Sequence, residues 1–237
     1  MNLLAFDTST DTLSIAVQHG ALGAAGLYQH TAAGGAQTST HLIPEIRRLM
    51  ALAQMRLQDL DAIVFGAGPG SFTGLRTACA VAQGLAFGAA VPVLPVDTLL
   101  AVAEEARWQC GDAQNFTVTA LLDARMDELY TADYGFASDH WTQSSQQRLI
   151  KPENLDWNGI HVLAGNVFEG YGARLPAPAA RTFALPTATA LLRLAPGLLA
   201  AGAGVSAEHA LPTYIRDKVA QTTLERNASK ALAGLAP

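Results

Sequence analysis

The chain has 237 residues, 50% of them hydrophobic and 15% charged, enough apolar material to bury a core and too much for a disordered chain. Its net charge of −5 argues against gripping nucleic acid alone, because such binders normally carry a basic stripe. Apolar runs are broken by Gly, Pro or a charge well before about 18 residues, so no membrane span is expected.

The opening, MNLLAFDTSTD, has no basic start, and Asp7 interrupts its apolar run early. It reads as a strand rather than an export signal, which makes the cytoplasm the expected compartment. LLAFDTS is that buried strand, and the alternating TLSIAVQ is its hairpin neighbour. GALGAAGLYQH is a third strand weakened by glycines, and TAAGGAQTST is a loop. Thr38, Ser39 and Thr40 offer N-caps for a helix over residues 41 to 54, with Leu42, Ile46, Leu49, Met50 and Ala53 at helical spacing. Pro44 then falls in its first turn, where a missing N–H does little harm.

LDAIVFGAG is the next strand, followed by a glycine loop and a helix from Ser71 to Gly88. VPVLPV and TLLAVAEEARW add a strand and a helix, giving an α/β lobe with a mixed sheet. The pattern then restarts. FTVTALLDARMDELYTADYGF reads as strand, tight turn over Asp123 to Asp127, and strand; DHWTQSSQQRLI offers a third. IHVLAGNVFEGYGARL predicts strand, glycine turn and short helix, and TATALLRLAPGLLAAG a helix broken near Pro196. The last stretch is polar and weakly patterned, and residues 219–237 are expected to be a flexible tail.

The glycine loop AIVFGAGPGSFTGLR invites a phosphate-binding reading, since it leads into a helix N-terminus with free N–H groups. Neither common signature fits. A Walker A loop needs Gly-Lys-Ser/Thr, and Gly74 is followed by Leu75 and Arg76. The dinucleotide fingerprint needs a third glycine where Ser71 or Thr73 stands. Ser71 is no nucleophile elbow either, with Gly70 adjacent to it and Thr73 two residues on. A tight strand-to-helix turn is the favoured reading, with Ser71 or Thr73 as cap. The six histidines, His19, His30, His41, His140, His161 and His209, have no pair three to five residues apart, so no helical metal pair is expected. Cys79 and Cys110 read as reduced, packed thiols.

The helix after the loop carries two faces. Leu75, Cys79, Ala82 and Leu85 suit the core, while Thr77, Ala80, Gly84 and Gly88 make a second face almost without side chains. Glycine inside a helix costs about 1 kcal/mol relative to Ala, so a close-approaching partner is a reason for Gly84 to be there.

The segments LLAFDTST, HLIPEI, GAGPGSFTGLR, AQGLAFG and LLDARMDELYTADY, in this order, resemble the TsaB (YeaZ) family over about the first 135 residues; IKPE and LPTYIRD match more loosely. The resemblance implies an α/β actin-like ATPase (ribonuclease H-like) fold of two lobes, each a mixed sheet with flanking helices. The lobes are expected at residues 1–98, with docking helices 41–54 and 74–88, and at 99–218. It implies a non-catalytic scaffold subunit in forming threonylcarbamoyladenosine beside the anticodon of tRNA. The implied partners are a TsaD-like catalytic subunit that carries metal and active site, and a TsaE-like ATPase. A homodimer is expected when the partner is absent, and tRNA is met only through the complex. No cofactor is expected in the isolated chain, and ATP only within the complex.

Phosphate turns of actin-like kinases pair an Asp with glycines. Here the first is Asp7-Thr8-Ser9-Thr10, without glycine, and the second puts Arg125 after Asp123 and Ala124. Both read as degenerate, with no catalytic or metal-binding residue assigned. The expected docking surface comprises His41, Glu45, Arg48, Arg76, Thr77, Ala80, Gly84 and Gly88, although His41 inherits no role from the family pattern. The rival function is an active small-molecule kinase or ATPase of the same fold.

Overall fold

The computed structural model describes residues 1–21, 26–157, 162–176 and 180–216. The expected tail, 219–237, lies outside them. Two mixed sheets with flanking helices form an α/β, actin-like, ribonuclease H-like fold.

The first sheet runs β3-β2-β1-β4-β5. It contains β1 (Leu3–Asp7), β2 (Thr12–Gln18), β3 (Leu27–Ala33), β4 (Ala62–Gly68) and β5 (Val93–Asp97). The hairpin strands pair antiparallel, while β4 lies parallel to both β1 and β5. Alternation along β1 sets the layers, since successive side chains point to opposite faces. Leu4 and Phe6 pack with α1 (Thr38–Leu52) and α2 (Phe72–Ala89) on one face. Leu3 and Ala5 pack on the other face against Leu191, Leu192 and Ala195 of α5 (Ala188–Ala200).

The second sheet runs β11-β10-β6-β7-β8, with β9 also on β7. Its strands are β6 (Phe116–Asp123), β7 (Leu129–Ala137), β8 (His140–Gln143), β9 (Arg148–Ile150), β10 (Val162–Gly165) and β11 (Arg181–Phe183). The four-residue α4 (Phe168–Tyr171) follows β10. Between the sheets lies α3 (Thr98–Gln109): Leu99, Val102, Ala103 and Ala106 pack with β6 and β7, and Ala101 joins the first sheet's core.

Three local readings are corrected. Thr38, Ser39 and Thr40 lie inside α1, not at its cap; the chain enters through a 3-10 turn at Gly35–Gln37, whose Gly35 carbonyl already takes the Thr38 N–H. Pro44 is therefore past the first turn, on the exposed side. At Pro196 α5 is continuous, because buried Leu191, Leu192, Leu194 and Ala195 hold it on the sheet. α5 covers the first sheet, and Val205 bridges Val93 of β5.

A buried charge cluster ties these layers at one edge. Glu104, 2% exposed, accepts from Arg107 Nε at 3.0 Å, Arg193 Nε at 2.8 Å and Trp141 Nε1 at 3.0 Å, joining α3, α5 and β8.

Candidate functional site

The glycine loop faces the β1–β2 turn, and its glycines are used to let that turn approach. A Cβ on Gly66 would lie 1.8 Å from Asp7 Oδ2, one on Gly70 2.6 Å from Ser9 Cβ, and one on Gly74 1.9 Å from the Thr8 carbonyl oxygen. Thr8 Oγ1 donates to the Gly74 carbonyl at 2.7 Å, and the Ser71 N–H donates to the Ser9 carbonyl at 2.7 Å. Ser71 caps α2, as expected; its Oγ accepts from the Gly74 N–H. The room that side chains at Gly66, Gly70 and Gly74 would need is taken by the chain's own β1–β2 turn.

Asp7 is fully buried. Its Oδ1 accepts from the Ser9 N–H at 2.9 Å and Ser9 Oγ at 2.7 Å, while Oδ2 has no partner. Burial pushes this carboxyl up to about 7, with the Ser9 bonds opposing.

A cleft of about 310 Å³ separates the β1–β2 turn and glycine loop from the β6–β7 turn. The far turn keeps the backbone of a glycine turn without glycines: Arg125, Met126 and Asp127 have φ of 60°, 56° and 64°. Left-handed backbone costs a non-glycine residue roughly 1 kcal/mol or more. Asp123 offsets part of this by accepting the Arg125 N–H at 2.8 Å, and it also accepts from Tyr171 Oη at 3.0 Å. The Arg125 guanidinium crosses the cleft to an ion pair with Asp11. Where a phosphate-binding turn offers bare amides, this one presents a paired arginine.

On the outer side, α2 exposes Ala80, Gly84 and Gly88, with Thr77 half-buried. A Cβ at Gly84 or Gly88 would meet nothing within 4 Å. The opposite face, Leu75, Ala78, Cys79, Ala82 and Ala86, is buried in the core. On α1, His41, Glu45 and Arg48 lie along one stripe, where Glu45 comes within 3.9 Å of His30 of β3. His41 hydrogen-bonds Gln37 at 3.1 Å, and Glu45 accepts from Arg48 Nε at 2.6 Å. Arg76 lies apart, stacked 3.8 Å over the Phe72 ring and donating to Tyr214 Oη at 3.2 Å near the cleft. Three exposed apolar side chains that the sequence reading passed over sit on these helices: Ile43 at 44%, Leu52 at 52% and Phe87 at 83% exposure. Their positions off the core-facing stripe are the signal that could have found them. Among the described residues no group of three or more His, Cys, Asp or Glu is placed to hold a metal ion.

Comparison with known proteins decides the family. A family model described as TsaD, tRNA N6-adenosine threonylcarbamoyltransferase, matches residues 29–195. The Escherichia coli protein named tRNA threonylcarbamoyladenosine biosynthesis protein TsaB is 32% identical, covering 93% of this chain and 96% of that one. The chain belongs to the TsaB (YeaZ) family. The Haemophilus influenzae TsaB is 33% identical over 92% of this chain and 95% of its own length. The solved structure of YeaZ from Pseudomonas aeruginosa superposes with a TM-score of 0.80 at 37% identity, over 90% of this chain and 99% of that one. The likeness to TsaB proteins thus spans both sheets, beyond the N-terminal part where the motifs are densest.

Proposed function

We propose that this chain is a non-catalytic scaffold subunit in the biosynthesis of threonylcarbamoyladenosine on tRNA, docking on and stabilising a TsaD-like catalytic subunit. The membership in the TsaB family supplies the pathway. The observation that carries the docking role is the outer stripe of α2, with open space at Gly84 and Gly88 beside exposed Phe87 on the same helix. An exposed aromatic ring beside a face without side chains suits a protein partner. Thr77, Ala80, Gly84 and Gly88 line the close approach, and His41, Glu45 and Arg48 on α1 extend the proposed surface. Exposed Arg76, held on Phe72 and Tyr214 at the start of α2, completes the proposed surface at that end.

The same face serves a homodimer when the partner is missing. A TsaE-like ATPase joins the assembled pair, and tRNA and ATP are engaged only there, in the cytoplasm. Among the described residues no helix is long and apolar enough to cross a membrane. The glycines at 66, 70 and 74, used to seat Asp7, Ser9 and Thr8, and the Arg125–Asp11 pair speak against the kinase reading. The two lobes are best divided as residues 1–97 with the α5-to-Thr213 segment, and residues 98–183, with α3 shared.

The test is complementation. In cells depleted of their own TsaB, the wild-type chain restores threonylcarbamoyladenosine in digested tRNA, measured by mass spectrometry, and Gly84→Arg does not. Restoration by Gly84→Arg at equal protein level removes this docking surface.

A further inference from the structure

Chain 213–216 runs along the mouth of the interlobe cleft and touches both of its walls. At its start the Thr213 N–H donates to the Ala67 carbonyl at 2.7 Å, and a Cβ on Gly68 would lie 2.5 Å from the Thr213 carbonyl oxygen, so the segment lies flat on the end of β4. Next, the Tyr214 ring packs on Phe72 with centroids 5.1 Å apart, and its hydroxyl takes the Arg76 hydrogen bond. Both contacts belong to the first turn of α2 and the residues just after it. At the end, Arg216 crosses to the β6–β7 turn. Its Nη2 donates to the Ala124 carbonyl at 3.1 Å and the Arg125 carbonyl at 3.3 Å, and pairs with Glu128 Oε2 at 2.7 Å. The Arg216 side chain is only 12% exposed.

The turn that Arg216 grips is the strained one. Three successive non-glycine residues in left-handed backbone persist only where their surroundings hold them. Arg216 Nη2 donates to both carbonyls at the turn's base and pairs with Glu128, while Nη1 donates to Met126 Sδ, a spread of contacts that lysine's single point charge cannot copy. Arg125, fixed in this way, completes the ion pair to Asp11 on the opposite wall. The Asp11–Arg125 pair is exposed and alone worth little. Coupled to the strap, whose Arg216 is largely buried, it becomes the outer part of a two-point closure. The buried Glu104 cluster ties the lobes at α3 and α5.

We infer that residues 213–216 form a strap that locks the two lobes closed, gripping the first through Ala67 and Phe72 and the second through Arg216. The lock makes the cleft a rigid joint and fixes the entry of α2, through Phe72 and Arg76. The strap is a property of the isolated chain and does not depend on the docking surface being right.

The test is amide hydrogen exchange on the full-length chain, comparing wild type with the double variant Tyr214→Ala, Arg216→Ala. Peptides covering residues 9–11 and 123–128 should exchange at least tenfold faster in the variant, with β1, β4 and β6 unchanged. Arg125→Ala alone should give a smaller acceleration in the same peptides. Unchanged exchange at both turns in a folded double variant overturns the strap. Should the double variant fail to fold, Arg216→Lys carries the test: acceleration confined to 123–128 and 9–11 supports the lock, and wild-type exchange there overturns it.

Discussion

Gly66 of β4 and Asp7 of β1 are one fitted pair: the carboxyl oxygen Oδ2 of Asp7 occupies the place where a side chain at position 66 would begin, 1.8 Å from an ideal Cβ. Both lie in the buried sheet interior, one residue after the paired and fully buried Phe6 and Phe65. Gly66→Ala should therefore destabilise the fold by about 3 kcal/mol through overpacking. Chemical denaturation of the variant checks this, and a loss under 1 kcal/mol would mean that the Asp7 carboxyl swings aside at little cost.

Asp7 also makes stability depend on pH. Its carboxyl titrates at about 7 in the fold, against about 4 in the unfolded chain. The fold thus binds the proton more tightly, so the neutral carboxyl's advantage is full below pH 4 and lost as pH rises through 7. Wild type should lose stability between pH 4 and 7, by on the order of 4 kcal/mol from this group. Asp7→Asn keeps an acceptor for both Ser9 bonds and cannot ionise. The difference in Tm between wild type and variant should grow from pH 5 to pH 8 in the variant's favour; a constant difference contradicts the assignment.

These two relationships were partly legible beforehand. The strand, the turn and the tight strand-to-helix entry were readable from alternation and from glycine spacing. That the glycines at 66, 70 and 74 accommodate Asp7, Ser9 and Thr8 was not, because the pairing is long-range and no local pattern encodes it. The same limit explains α5. Its apolar stripe predicts a buried helix, but only the three-dimensional arrangement puts Leu191 and Leu192 beneath β1. LPTYIRD attracted notice as a motif without a role, since Arg216 acquires its meaning from carbonyls about 90 residues away in sequence.

Glu104 should be among the least replaceable side chains. Its carboxylate receives Arg107, Arg193 and Trp141 in a nearly dry site. Glu104→Leu leaves two arginines without this partner, though Glu105 and Asp112 keep one contact each. A loss of about 3–5 kcal/mol is expected, as for other broken buried pairs. Thermal unfolding would reveal it, and a neutral result would mean that Glu105 and Asp112 carry the network.

Gly84→Arg should behave in the opposite way in the isolated chain. No atom lies within 4 Å of the added Cβ, and replacing an exposed helical glycine gains up to about 1 kcal/mol in helix propensity. Its Tm should match or slightly exceed the wild type's. A large drop would show that Gly84 is needed for internal packing, which would remove the reason for assigning it to a partner.

The most direct measurement is light scattering after size exclusion on the chain mixed with the TsaD-like paralogue from the same cell, with and without ATP, using wild type and Gly84→Arg in parallel. A defined heteromeric complex for wild type, lost in the folded Gly84→Arg variant, is the predicted result. No complex with wild type under either condition, with the lone chain binding ATP, would contradict the scaffold account and return the interlobe cleft to the kinase reading.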